Sequence, residues 1–133
     1  MGDFGVLASR YNMNARLLKE FDEGLSFLKE AKPDRERIST EKMKLLLVLE
    51  PLKEVNCTPL SDSLVLDASE ILTILKQRHL SNWQSYQNCL LKIIQKLSSN
   101  QLTITTEEFD VLNDVADALE TRCTQLFKRM GEG

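Results

Sequence analysis

The chain has 133 residues, a formal net charge of −3, 42% hydrophobic residues and 28% charged residues, which is the size of one domain and the composition of a folded rather than a disordered protein. Glycine and proline contribute only 5 and 3 residues, four of the glycines lie at the chain ends, and Leu60–Met130 contains neither. A sandwich or barrel needs a turn about every 8–12 residues, so this scarcity excludes an all-β fold, and it also removes the glycine-rich loops that cradle phosphates.

Residues 1–12 show weak periodicity and read as a flexible leader, followed by a single helical domain over 13–130 and a tail at 131–133. No basic stretch leads into an apolar run at the N-terminus, and the longest apolar run, Leu45–Leu49, is too short to span a bilayer. From Asn14 onward Leu17, Leu18, Phe21, Leu25 and Leu28 recur at steps of three and four, one buried helical face. Gly24 lies inside this helix at a cost of about 1 kcal/mol relative to Ala, which close packing against a neighbour would explain. The helix should end before Pro33.

After the charged connector Lys32–Arg37, Ser39 or Thr40 is placed to cap a second helix, with Glu41 in its first turn. Leu45–Leu49 is apolar on nearly every side, the pattern of a central helix. Pro51 must kink its last turn or begin a separate one, because it has no N–H to donate. Thr58–Pro59 reads as the start of a short third helix carrying Leu60, Leu64 and Val65. Asp67 with Glu70 resembles a capping box opening a fourth helix, and Ser81 with Gln84 is another opening a fifth. Asn100 can end that fifth helix in place of glycine. Thr105 with Glu108 is a third capping box. It opens a long last helix whose seam is Phe109, Leu112, Ala116, Leu119, Cys123, Leu126 and Met130. The fold class expected is therefore all-α, a compact bundle of five to six helices packed around the second, with a long C-terminal amphipathic helix.

Little in this pattern carries catalysis. His79 is the only histidine, and no nucleophile has a local signature beside it; at a helix end it is expected to meet terminal carbonyls or solvent. The cysteines Cys57, Cys89 and Cys123 are too widely spaced for a zinc site or a disulfide framework, and reduced thiols in the nucleus or cytoplasm are the simplest reading. No cofactor, metal or membrane is implied. Lys76, Arg78, Lys92 and Lys96 lack interleaved aromatics and an overall positive charge, so nucleic acid is not the expected partner. Glu107, Asp110, Asp114 and Asp117 read as the solvated face of the last helix. Its seam could zip against a second chain, but Val111 and Val115 widen the apolar face, which suits packing within the domain. A monomer or a hetero-complex is expected ahead of a homo-oligomer. Trp83 and Tyr86, beside a connector, are either core plugs or anchors for a peptide.

The order and length of these elements resemble a known family. RLLKEFDEGLSFLK, EKMKLLLVLEPLKEV, a Thr-Pro-Leu helix start, SEILTILKQRH and NWQSYQNCLLKIIQKL follow one another over residues 16–97. This run is similar to the helical N-terminal domains of transcription elongation factors and to the integrase-binding domain of lens-epithelium-derived growth factor. The resemblance implies a bundle that docks linear motifs of disordered partners through two connectors. By position these are Lys32–Arg37, with Asp34 and Arg35, and His79, Leu80 and Ser81. Here the first connector is longer and more charged than in that family, and His79 stands where the integrase-binding domain has a phenyl ring. The last helix is left unexplained. The expected function is a non-catalytic interaction module docking a linear motif or partner helix, with subunit assembly through the last helix and nucleic-acid binding as the alternatives.

Overall fold

The computed structural model describes residues 2–54, 67–99 and 103–132. Among these the secondary structure is entirely helical: α1 (Gly2–Leu28), α2 (Ile38–Glu54), α3 (Ala68–Arg78), a 3-10 turn (Leu80–Asn82), α4 (Trp83–Ser98) and α5 (Thr106–Glu132). The short helix expected from Thr58–Pro59, and Asn100, fall outside the described residues.

Long-range contacts fix the directions of the helices. Tyr11 meets Phe127, with ring centroids 5.7 Å apart, and the Lys29 ammonium lies 5.8 Å from the Phe109 ring centroid. Rising residue numbers in α1 therefore pair with falling numbers in α5, and the two helices run antiparallel along their length. The Lys44 ammonium reaches Glu23 at 3.1 Å, so α2 runs back along α1. The start of α3 is tied to Arg122 of α5 and its end to Asp117 and then Asp114; α4 continues the same way, since Lys96 reaches Glu108. Both α3 and α4 pack on α2 and α5 rather than on each other. They form one broken column, bent at His79–Asn82. The architecture is an up–down–up–down four-column bundle whose third column is broken.

The core follows from the apolar periodicity. Phe21, Leu45, Val48, Leu49, Ile71, Leu75, Ile93, Leu112, Val115 and Leu119 are wholly buried in one cluster. At Gly24 α1 and α2 approach closely: a Cβ there would lie 3.0 Å from the Glu41 carbonyl oxygen and 3.0 Å from Leu45 Cγ. The reason inferred for this glycine from sequence is the one the packing shows.

Several expectations give way. The leader does not exist as such, because residues 2–12 are the first turns of α1. Two of them have long-range partners that local periodicity cannot reveal: Tyr11 meets Phe127, and Arg10 pairs with Asp67. Residues 131 and 132, expected in the tail, belong to α5. Ser39 and Thr40 lie within the first turn of α2, which begins at Ile38, and α2 continues through Pro51 to Glu54. Nor is α2 surrounded. Met43 and Leu47 are 56% and 48% exposed, on the side of the helix opposite Leu45.

Two of the three capping boxes also fail. Asp67 makes no cap bond; its buried carboxylate accepts from Arg122 Nε at 2.7 Å and from Arg10 Nε at 3.0 Å. Ser81 sits inside the 3-10 turn, and Asn82 precedes α4 without a side-chain cap. The third box forms as read: Thr105 N–H donates to Glu108 Oε1 at 2.9 Å, and Glu108 N–H donates to Thr105 Oγ1 at 3.1 Å.

Candidate functional site

The bend between α3 and α4 gathers most of the residues singled out from sequence. The His79 N–H closes α3 on the Leu75 carbonyl at 3.0 Å, and the Asn82 N–H then bonds the His79 carbonyl at 3.1 Å. This turn places the side chains in a ladder. The His79 ring stacks on Tyr86, with centroids 4.2 Å apart and planes 20° apart, and Tyr86 stacks on Trp83 at 5.7 Å and 14°. His79 Nε2 lies 2.7 Å from Asp114 Oδ2, and Arg78 reaches Asp117 Oδ2 at 2.6 Å. The elbow is thus clamped to α5 by three polar contacts, the third from Arg78 to Thr121 Oγ1 at 3.3 Å, and braced by a stack of three rings.

His79 was expected to meet helix-end carbonyls or solvent; the Asp114 carboxylate takes it instead. Asp114 consequently turns partly inward from the solvated face, whereas Glu107, Asp110 and Asp117 stay exposed on it, as read. Tyr86 is buried, its hydroxyl has no hydrogen-bond partner among the described residues, and burial, with the nearby Asp114 charge, pushes its phenol well above the usual range. Leu80 is 71% exposed at the tip of the turn, Ser81 is exposed beside it, and Trp83 is half-buried behind it. Tyr86, weighed from sequence with Trp83 as a core plug or a peptide anchor beside the connector, is on the core side. Asp114 as a partner was not legible, since it lies 35 residues from His79.

The first connector lies elsewhere. Asp34 and Arg35 are exposed; Asp34 shapes a turn by accepting from the Glu36 N–H at 3.0 Å through Oδ1 and from the Arg37 N–H at 3.1 Å through its carbonyl. Arg37 folds back over the Phe27 ring at 5.1 Å and reaches Glu41 at 3.2 Å, closing a shallow groove of about 600 Å³ along α1 that includes Leu18, Asp22 and Glu30. The two connectors address different flanks of α5. Lys29, heading the first, lies over Phe109, whereas His79 meets Asp114 five residues further on. Five residues at about 100° each are some 140° around the helix axis.

The basic residues do not form a patch either. Arg78 and Lys96 turn to carboxylates of α5, while Lys76 and Lys92 are exposed. Lys96 Nζ bonds Glu108 Oε1 at 2.7 Å at the edge of a cleft of about 630 Å³ between α4 and the start of α5, which Cys89 and Lys92 also line. Burial raises both the Cys89 and the Cys123 thiol above the ordinary range, so neither is poised as a nucleophile. Among the described residues no three His, Cys, Asp or Glu side chains are grouped to hold a metal ion, and no helix is long and apolar enough to cross a membrane.

The seam of α5 faces its own bundle. Leu112, Leu119 and Leu126 are fully buried, Cys123 nearly so, and Phe109, Ala116 and Met130 are half-buried. Phe127, outside the seam, is 61% exposed beside Tyr11. The described residues form an all-α four-column bundle whose elbow holds Leu80 in solvent. No protein-family model, curated protein or solved structure matches the chain.

Proposed function

We propose that this bundle is a non-catalytic protein-interaction module that receives a linear motif or partner helix at the α3–α4 elbow. One observation carries the reading: Leu80 is the most exposed large apolar side chain described, and it stands on a turn braced by three stacked rings and three polar contacts to α5. A rigid base holding an apolar side chain in water is what a docking anchor requires, because little ordering entropy remains to be lost on binding. The resemblance to transcription elongation factor domains supports the same connector and suggests a transcription-related complex in the nucleus, with the cytoplasm as the other compartment in which its cysteines stay reduced. The test is capture of partners from a lysate by the wild-type chain and by Leu80→Asp, with identified partners then measured directly. Loss of a partner on Leu80→Asp with an unchanged melting temperature supports the reading; retention of every partner at full affinity refutes it.

A second reading has one observation in its favour. The exposed Phe127, against Tyr11 at the far end of α1 and α5, would suit subunit assembly through the last helix. Sedimentation of the wild type and Phe127→Glu separates the two, since only assembly at that end responds to the substitution.

A further inference from the structure

We infer that the partner received at the elbow is a basic protein segment: an apolar side chain set against Leu80, with a Lys or Arg within a turn or two of it paired to Asp110. The inference rests on the docking reading and adds the charge of what docks. It follows from how charge is distributed along the flank of α5 on which the elbow rests. From Thr106 to Thr121, α5 carries Glu107, Glu108, Asp110, Asp114, Asp117 and Glu120 and no Lys, Arg or His. Asp110, Asp114 and Asp117 stand at steps of four and three, within about 60° of one another around the helix axis, so they form one stripe. The elbow lies against this stripe, because His79 meets Asp114 and Arg78 meets Asp117.

Little positive charge offsets the stripe. The run from His79 to Leu91, the elbow and the first half of α4, contains no Lys or Arg. Arg78 turns to Asp117 and Thr121, but Lys76, two residues earlier, lies about 160° away around α3. Lys92 and Lys96 belong to the far end of the flank, with Glu107 and Glu108. Asp114 and Asp117 each give Oδ2 to the elbow, whereas Asp110 is exposed and makes no ion pair among the described residues. It stands about 6 Å along the axis from Asp114, one turn beyond the clamp. The stripe alone is what any amphipathic helix shows to water; Leu80 beside it, 71% exposed on a braced turn, supplies the apolar contact through which a partner is held. Ser81 and Asn82 next to Leu80 are exposed and uncharged, so the nearest free charge for such a partner is the Asp110 carboxylate. A Lys or Arg there speeds encounter and fixes register, and an Asp or Glu in its place is repelled.

The probe is a displayed library of random peptides about 15 residues long, four helical turns, selected on the full wild-type chain and depleted on Leu80→Asp. Leu80→Asp keeps every carboxylate of α5, so the depletion removes peptides held by charge alone. The peptides that remain should carry an apolar residue with Lys and Arg in excess over Asp and Glu. A peptide synthesised from that set should bind Asp110→Asn roughly fivefold more weakly than the wild type, the scale of an exposed ion pair, and Asp110→Lys more weakly still. Its affinity for the wild type should fall as salt rises from about 0.05 to 0.3 M, and less so for Asp110→Asn. Both Asp110 variants should melt with the wild type, since this side chain is exposed, and Asp110→Asn alone decides the matter if Asp110→Lys does not fold. Leu80-dependent peptides with no basic excess, or equal affinity for the wild type and Asp110→Asn, overturn this inference and leave the docking reading standing. Recovery of no Leu80-dependent peptide overturns both.

Discussion

Asp67→Asn is the sharpest test of how this bundle is tied together. The Asp67 side chain is 2% exposed and accepts from Arg122 Nε at 2.7 Å, where the Arg122 side chain is 9% exposed; Arg10 bonds its other oxygen from a side chain 38% exposed. One carboxylate thus joins α1, the start of α3 and α5. Replacing it with an amide leaves Arg122 charged, buried and without its counter-ion, which costs about 3–5 kcal/mol. Arg10 can turn to water and adds at most about 1 kcal/mol. Unfolding entropy of about 2.1 cal/mol/K per residue over 133 residues is about 0.28 kcal/mol/K, so the melting temperature should fall by roughly 11–18 °C.

Urea unfolding followed by circular dichroism measures the loss, and a cycle with Arg122→Met isolates its cause. In the Arg122→Met background no buried guanidinium remains to be orphaned, so Asp67→Asn should cost at least 1 kcal/mol less there than in the wild type. Amide exchange in residues 2–12 should also accelerate in Asp67→Asn, because this carboxylate anchors Arg10. A loss below about 1 kcal/mol, or additivity of the two substitutions, would refute the tie as drawn.

Three further outcomes follow from single contacts. Gly24→Ala gains up to about 1 kcal/mol of helix propensity but places a methyl 3.0 Å from a backbone oxygen and a core leucine; overpacking of about 1–3 kcal/mol should win, and a stabilised variant in denaturant titration would contradict the close approach. Burial alone would raise the Glu108 carboxyl, but the bonds from Lys96 and Thr105 outweigh it and hold the group below the ordinary carboxylate range. A depressed folded value means stability that is present above the unfolded value near pH 4.3 and lost as pH falls through the folded one, so Glu108→Gln should flatten the acid limb of a stability–pH curve; an unchanged limb would remove this cap from the account. Leu126→Ala should cost about 2–5 kcal/mol and Phe127→Ala less than about 1.5, since the first side chain is fully buried and the second is 61% exposed; comparable losses in thermal melts would show that the seam does not face inward.

What could be read from sequence was what depends on neighbours along the chain. The helical periodicity of Leu17–Leu28 and of the α5 seam, the stop before Pro33 and the Thr105–Glu108 box all need only residues within a turn or two. Where a distant residue made a better offer, local reading failed. Asp67 has the spacing of a cap, but two guanidiniums from α1 and α5 outbid a backbone amide for its carboxylate. Residues 2–12 lack a strong apolar stripe, but Tyr11 and Arg10 find distant partners in Phe127 and Asp67. Leu45–Leu49 looked enclosed because five consecutive apolar residues fill a helical turn, yet Leu47 lies about 200° from Leu45 and points away from the core.

The candidate site shows the same division and gives it a consequence. The break at His79–Asn82 sets the course of the third column, with Leu80 in water at its tip and the rings behind it packed. Nothing local enforces that break, for there is no glycine or proline there and neither end of the turn has a side-chain cap. It is held from α5, by Asp114 and Asp117, and by the stack that Tyr86 completes from α4. The bracing of the turn beneath Leu80 is therefore a property of the assembled bundle, which is why the sequence could mark the residue but not its setting. Substitutions at Asp114 and Asp117 should accordingly alter docking at Leu80 without touching any bound partner themselves.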